Sequence, residues 1–299
     1  MTIQPPEPGE PRRPHGPRNP GDAWVVAPDG TRYWGRFGAA GLLAFDAAHG
    51  VLLQHRVDWS HFGGTWALPG GALHEDESRV DGALREAAEE AGVPADAVRP
   101  RLVSVLDLGY WAYSTVVADV TAPFEPVISD PESVELSWVP VDEVASYPLH
   151  PAFEAAWERL RALLPVRPTV IVDAANVVGA VPDGWWHDRA GAASRLLEKL
   201  TGWGGVPGTD LGLPAHTWFP RVVVVLEGKA RDAVEPASER LEVVRATGSG
   251  DDEIGAQAAR ALELREQVTV VTSDRGLADR VSDLGASARG ARWLLDRLG

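Results

Sequence analysis

Glu86, Glu89 and Glu90 stand within five residues of one another in the stretch Arg85-Glu86-Ala87-Ala88-Glu89-Glu90-Ala91-Gly92. Their spacing is i, i+3, i+4, which brings side chains to one face of a helix. Carboxylates held that close repel and raise each other's pKa. A hard divalent cation such as Mg²⁺ relieves the repulsion, because it prefers carboxylate oxygen. The chemistry these residues predict is metal binding, and the competing reading is a solvated acidic helix face.

A second set of acids lies in the other half of the chain. Val170-Ile171-Val172 leads into Asp173 and then Asn176, Val222–Leu226 into Glu227, and Val268–Val271 into Thr272-Ser273-Asp274-Arg275. Gly248-Ser249-Gly250 precedes Asp251-Asp252-Glu253. Several strand ends that each deliver a carboxylate to one rim suit two-metal phosphodiester chemistry. Taken singly, each acid is as well explained as a helix N-cap or a partner of the helix dipole.

The elements that must position these groups differ between the halves. In the first, Ala40–Phe45 and Val51–His55 read as strands around a turn at Asp46–Gly50, and Arg101–Asp107, Trp111–Val120 and Val134–Val139 as further strands. Ser78–Ala91 reads as a helix stopped by Gly92 and Pro94, and Pro151–Leu164 as a helix with Phe153, Trp157, Leu160 and Leu164 on one face. In the second, apolar strands at Val170–Val172, Val222–Leu226, Leu241–Val244 and Val268–Val271 alternate with helices at Arg189–Leu200, Asp251–Leu264, Leu277–Leu284 and Arg289–Leu298. That alternation predicts a mostly parallel sheet flanked by helices, with its site beyond the carboxyl ends of the strands. The fold class expected is α+β and α/β, with residues 1–21 a disordered Pro-rich tail, 22–165 one domain and 166–299 a second. Gly202–Gly212 lacks the Lys-Ser/Thr of a phosphate-binding loop and reads as a linker.

Gly71, Glu77, Arg85-Glu86, Glu89-Glu90, Gly92 and Val93 reproduce the spacing Gly-x5-Glu-x7-Arg-Glu-U-x-Glu-Glu-x-Gly-U, with U a bulky aliphatic. The segment resembles the signature of the Nudix hydrolases, with small Ala87 as the one soft departure. The likeness extends to Trp66-Ala67-Leu68-Pro69-Gly70-Gly71 and to Trp138-Val139-Pro140-Val141-Asp142-Glu143. It implies an α/β/α sandwich that hydrolyses a nucleoside diphosphate linked to another moiety, using Mg²⁺ or Mn²⁺. Glu86, Glu89 and Glu90 would be ligands, one of them a candidate general base, and the Gly70 carbonyl would join them. Arg85 would orient the carboxylates by pairing with Glu77. A later acid, Glu132 or Glu135, would complete the site. His61 and His74 could touch phosphate, and Tyr110, Trp111 and Tyr113 could stack on a base or form an aromatic strand core.

Val172-Asp173-x-x-Asn176, Gly250-Asp251-Asp252-Glu253-Ile254 and Val271-Thr272-Ser273-Asp274-Arg275-Gly276-Leu277 resemble the NYN branch of PIN-like nucleases. The resemblance spans about residues 168–298. It implies that Asp173, Asp251 or Asp252, and Asp274 hold Mg²⁺ or Mn²⁺, with Asn176 helping to place them and RNA as a partner. Glu227 stands where relatives often carry Asp, and its extra carbon makes it a weaker ligand candidate. The alternatives are a non-catalytic sensor of nucleotides or RNA ends, or a Nudix enzyme with a structural second domain. The Nudix likeness also suggests a homodimer.

Composition narrows these classes. Residues 21–165 carry 22 acidic against 9 basic groups, and residues 166–299 carry 19 against 16. The acidic half disfavours nonspecific nucleic-acid binding, which needs Lys and Arg against phosphates. The chain has no cysteine, hence no disulfide framework or zinc–thiolate site. No apolar run reaches the ~18 residues of a membrane span. The first 20 residues lack an apolar leader segment, so a cytoplasmic address is expected. Lysine appears only at Lys199 and Lys229 while arginine is abundant, as in a GC-rich bacterial coding style.

Overall fold

The structure is a computed structural model and describes residues 1–7, 21–182 and 184–299. Two compact units are present: Met1–Leu164 with Gly212–Trp218, and Pro165–Leu211 with Phe219–Gly299.

The first unit is built on a mixed sheet. Its strands run in the order Ser133–Val139, Gly50–Arg56, Ala39–Asp46, Ala112–Val120, Val98–Asp107 and Thr217–Trp218. Short strands Trp66–Ala67 and Gly70–Ala72 pair with Gly50–Arg56 and Ala39–Asp46. Ala39–Asp46 and Ala112–Val120 run parallel and the rest of these pairs antiparallel. Leu42, Leu43, Leu52, Leu53, Val116 and Val117 are buried, so the central strands read as near-continuous apolar runs. The helix Arg79–Ala91 packs on Ala39–Asp46. Ala83, Ala87 and Ala91 are fully buried on it. Small side chains there let the helix lie close to the sheet, which gives Ala87 a packing reason. Ser78 caps this helix by accepting the Asp81 N–H at 3.1 Å, and Gly92 ends it at φ 64°. The helix Pro151–Leu163 buries Phe153, Trp157 and Leu160, as its periodicity predicts, together with Leu163, and the expected Leu164 is buried at its C-cap.

In the first unit two features depart from the sequence reading. Thr2–Gln4, expected in a disordered tail, form a strand on Trp24–Val26, which pairs in turn with Arg32–Trp34. The remainder of that tail, residues 8–20, lies outside the described residues. Thr217–Trp218, far along the chain, adds an edge strand to Val98–Asp107, with Thr217 opposite Val103 and Trp218 opposite Leu102.

The second unit is a five-stranded, wholly parallel sheet in the order Leu241–Arg245, Arg221–Leu226, Pro168–Asp173, Gln267–Val271, Ser287–Arg289. Alternate residues face opposite sides. Val170, Val172, Val222 and Val224 pack with Leu196, Leu197 and Leu200 of the helix Arg189–Thr201 and with Leu294 of Ala291–Leu298. Ile171, Val223, Val225 and Val270 pack with Ile254 and Ala258 of Gly250–Glu263 and with Leu277 and Val281 of Arg275–Asp283. Each such buried aliphatic contributes about 1.5–3 kcal/mol of transfer free energy. The strand order reverses between Pro168–Asp173 and Gln267–Val271, and ligands in such sheets bind in the crevice at that reversal. The sequence reading had Arg289 opening the last helix. It instead ends the edge strand Ser287–Arg289, and the helix starts at Ala291. The supposed linker Gly202–Gly212 includes a helical turn, Gly208–Leu211.

Candidate functional site

The helix Arg79–Ala91 presents its acids unequally. Glu86 and Glu90 are 1 % and 4 % exposed, whereas the Glu89 side chain is 47 % exposed. Three convergent carboxylates were expected, and two are buried against the sheet. The reason is angular. At about 100° per residue, Glu86 and Glu90 lie about 40° apart, on the stripe that also carries Gly82, Ala83, Ala87 and Ala91. Glu89 lies about 60° from Glu86 on the side away from Glu90, and so about 100° from Glu90, at the margin of that stripe.

Each buried carboxylate is held. Arg85 donates through Nε and Nη2 to the two oxygens of Glu77 at 2.8 and 2.9 Å. Its Nη1 donates to Glu86 at 2.8 Å, and Nη2 also reaches the Ala72 carbonyl at 3.0 Å. Glu89 lies 3.5 Å from the same guanidinium. Glu77 further accepts the His74 N–H at 2.9 Å. The Arg85 hydrogen bond is the main reason the Glu77 carboxyl sits below its ordinary range. Ion pairing with Glu77 and Glu86 raises Arg85 further, against the penalty of burial. The Gly70 backbone N–H donates to Glu90 at 2.9 Å. The sequence reading brought in the Gly70 carbonyl, whereas the contact formed here is through the amide.

Glu90 is pushed up to about 8. Burial is the largest cause, Glu86 and Glu132 add repulsion, and Gly70 N–H and Arg56 oppose it. Tyr113 is raised by burial first and then by Glu90 and Glu86, with Arg56 opposing. Of the two late acids, Glu132 lies 3.9 Å from Arg56 and adds to the repulsion on Glu90, whereas Glu135 is exposed on its strand. Arg56 was not singled out in the sequence. It lies opposite Gly64 in a hairpin, and no local pattern shows that its charge falls beside Glu90.

The donor set suits a hard cation. Two buried carboxylates repel each other, and one of them cannot ionise at its ordinary pH. Bound Mg²⁺ or Mn²⁺ would remove that cost. Among the described residues no three acids or histidines are yet gathered into a cage. Arg85 occupies Glu86, the Gly70 amide occupies Glu90, and Glu89 faces solvent.

The remaining candidates scatter. His74 contributes its backbone N–H. Tyr110 rests 6.0 Å from Tyr33, and Trp111 stacks on Tyr33 at 4.7 Å while donating to the Trp34 and Gly35 carbonyls. These rings pack on the small N-terminal sheet.

Among the described residues of the second unit, the acids lie around the reversal point without closing into a cage. Asp173 accepts the Asn176 N–H at 3.0 Å and the Thr272 hydroxyl at 2.9 Å. Asn176 accepts the Ser273 N–H at 2.9 Å, tying the two strand ends together. Glu227 accepts the Gly250 N–H at 2.9 Å. Asp173 is raised mainly by burial, with Asp251 and Glu227 adding to it. Asp251 is raised by burial, then by Asp274, with Glu227 and Asp252 contributing and Arg280 opposing. Asp173, Glu227, Asp251 and Asp274 therefore share one neighbourhood. The capping interpretation also holds for two of them, since Asp173 and Asp274 cap the helices Ala174–Gly179 and Arg275–Asp283. Asp252 is turned to Arg280 at 3.1 Å.

Comparison with known proteins agrees with the first geometry. The NUDIX domain family matches residues 35–163. A Mycobacterium tuberculosis protein, "Putative 8-oxo-dGTP diphosphatase 3", is 49 % identical over 154 residues, which cover 48 % of this chain and 70 % of that protein. A Bifidobacterium longum "Nucleoside triphosphate pyrophosphatase/Nudix hydrolase fusion protein" is 41 % identical over 153 residues, covering 48 % of this chain and 32 % of that one. Among solved structures, the Nudix hydrolase RenU from M. smegmatis is 48 % identical, covers 48 % of this chain and 94 % of that chain, and superposes with a TM-score of 0.44. This chain belongs to the Nudix hydrolase family.

Proposed function

We propose that the first unit is a Mg²⁺- or Mn²⁺-dependent pyrophosphohydrolase acting on a nucleoside diphosphate linked to a further group. Nucleoside triphosphates of the 8-oxo-dGTP type are its leading substrates. The observation that carries this reading is the buried Glu86–Glu90 pair, gripped by Arg85 on one side and the Gly70 amide on the other. The name of the mycobacterial relative supports the substrate class.

Glu86 and Glu90 would hold the ion, with Glu89 reaching in from the exposed side as a further ligand or as the base. The ion would supply Lewis-acid polarisation of the phosphoryl oxygens and a more acidic water. Arg85 keeps Glu86 oriented and bars it from turning away, while Glu77 anchors Arg85. The Gly70 amide fixes one oxygen of Glu90, leaving the other free. Arg56 lies beside this centre and would meet substrate phosphates, while Glu132 would be the later acid that completes the metal site. A panel of nucleotides with Mg²⁺ or Mn²⁺, read as pyrophosphate or phosphate release, tests the proposal. Hydrolysis of one or more members is expected, and tight binding without product would favour a sensor instead.

For residues 166–299 we infer a PIN-like fold of the NYN branch and a metal-dependent ribonuclease activity. Two observations support it: the wholly parallel sheet, and the placement of Asp173, Glu227, Asp251 and Asp274 at its reversal point. Cleavage of single-stranded RNA with Mn²⁺, lost in Asp173→Asn, is the expected result. Equal rates in parent and variant would leave the unit a structural one.

A further inference from the structure

Residues 57–65 form the hairpin loop between the strands Gly50–Arg56 and Trp66–Ala67. The loop is closed at its base by Arg56 N–H to the Thr65 carbonyl at 2.9 Å and Gly64 N–H to the Arg56 carbonyl at 3.0 Å. Its outgoing strand runs through Leu68 and Pro69 into Gly70, whose amide holds Glu90. The loop is thus fastened to the carboxylate centre through four residues of chain.

Phe62 at its tip combines two unfavourable features. Its φ is 56°, in the left-handed region that is a genuine outlier for a bulky side chain, although Gly63 and Gly64 sit next to it. Its side chain is also left 46 % exposed. An aromatic ring held out to water on strained backbone contributes little to folding, and such strain clusters at ligand sites. The ring is nonetheless fixed in place. His61 meets it edge-on at 4.3 Å and His150 at 4.7 Å. Burial keeps both imidazoles neutral at pH 7, and the positive charge of Arg56 adds to this. The same Arg56 acts on Glu90. Arg56 also closes the base of this loop through its backbone and lies 3.9 Å from Glu132, so the loop that carries Phe62 starts beside the carboxylate centre. Phosphates laid over the carboxylates and past Arg56 would leave the remainder of a nucleotide at that cluster.

We propose that Phe62 is the stacking platform for the nucleobase of the substrate, with His61 and His150 as the hydrogen-bonding groups at the base edge. The assignment rests on the nucleotide reading given above. Every base offers a π face to an aromatic side chain, and a neutral imidazole presents one donor and one acceptor. The Nδ1 acceptor of His150 is taken by the Ala152 N–H, which leaves it an Nε2–H donor. Phe62 thereby governs affinity for the nucleoside part and has no part in bond cleavage.

The test uses the full chain, Phe62→Gly, which also relieves the backbone strain, and Phe62→Trp, which restores an aromatic face. Steady-state rates on the nucleotide panel are combined with equilibrium binding of an α,β-methylene nucleotide. The expected result is a KM and a Kd raised about tenfold in Phe62→Gly, with kcat within about twofold and both constants recovered in Phe62→Trp. Unchanged KM and Kd in Phe62→Gly, while the parent hydrolyses nucleotides, overturns the platform and leaves the proposed activity standing. A parent that binds the analogue with a Phe62-dependent Kd but cleaves nothing supports the platform and overturns the activity. A parent that neither binds nor cleaves any member overturns both.

Discussion

Gly70 donates its backbone N–H to the Glu90 carboxylate at 2.9 Å, across twenty positions of sequence. The bond ties the strand that enters the Nudix segment to the last turn of the helix that completes it. It holds one oxygen of a buried acid in place although Glu86 repels it. The adjoining glycine shows how tight this junction is. A Cβ on Gly71 would lie 2.7 Å from the Glu86 carboxyl carbon, with both oxygens within 2.8 Å.

Gly71→Ala is accordingly expected to damage the site more than the fold. The new methyl group must displace the Glu86 carboxylate, which Arg85 holds at 2.8 Å. A catalytic group shifted by about 1 Å costs about 10²-fold in rate. Hydrolysis rates and thermal melts of the variant check this, with a large loss in kcat/KM and a small change in Tm expected.

Arg85 makes five contacts with Glu77, Glu86, Glu89 and the Ala72 carbonyl that only a planar fork can make together. Arg85→Lys is expected to lose most activity in spite of its conserved charge. Arg85→Ala strands Glu77 and Glu86 without their cation, at a cost of about 3 kcal/mol. Urea denaturation of the two variants measures the difference.

Acid should weaken the first unit through His150. This side chain caps the helix Pro151–Leu163 by accepting the Ala152 N–H at 3.2 Å. Burial lowers its pKa to about 4, helped by Arg56 and His61. Between pH 6.5 and 4 the unfolded chain therefore binds a proton that the folded chain refuses. Stability rises with pH across that window and levels above it. His150→Asn keeps a capping side chain without the titration, so its stability should fall less than the parent's between pH 7 and 4.5 in urea titrations. Parallel loss in both proteins would contradict the assignment.

Trp218 is fully buried, and its indole N–H donates to the Pro214 carbonyl at 2.5 Å. Together with Thr217 it covers the edge of the strand Val98–Asp107. Trp218→Ala should destabilise the first unit by about 3–5 kcal/mol. A fragment ending at residue 165 lacks this strand and should melt below the same unit in the full chain. Equal melting would show that the added strand is dispensable.

The sequence was informative where the contacts are local. The spacing of Glu77, Arg85, Glu86, Glu89 and Glu90 placed them on one helix and its approach, and Ser78 and Gly92 marked the helix ends. Alternating strands and helices predicted the parallel sheet of the second unit, because a strand buried on both faces leaves an unbroken apolar run. Burial of Glu86 and Glu90 over Glu89 was not legible, since it depends on which helix stripe meets the sheet. Arg56, Phe62 and His150 escaped notice for a similar reason. Their shared neighbourhood comes from a hairpin and a helix start that are some 90 residues apart. Thr217–Trp218 and Ser287–Arg289 are too short to carry a period of two.

The central claim is that the buried pair Glu86–Glu90 performs metal-assisted hydrolysis of a phosphoanhydride. Its most direct test is pyrophosphate and phosphate release from 8-oxo-dGTP and the common nucleoside triphosphates, with and without Mg²⁺, by the full chain and by Glu90→Gln. The substitution keeps an oxygen acceptor for the Gly70 amide and removes only the charge. We expect metal-dependent release by the parent and at least about 100-fold slower release by the variant, with melting temperatures within a few degrees. Equal rates in the two proteins, or hydrolysis by the parent that persists in excess chelator, would contradict the account.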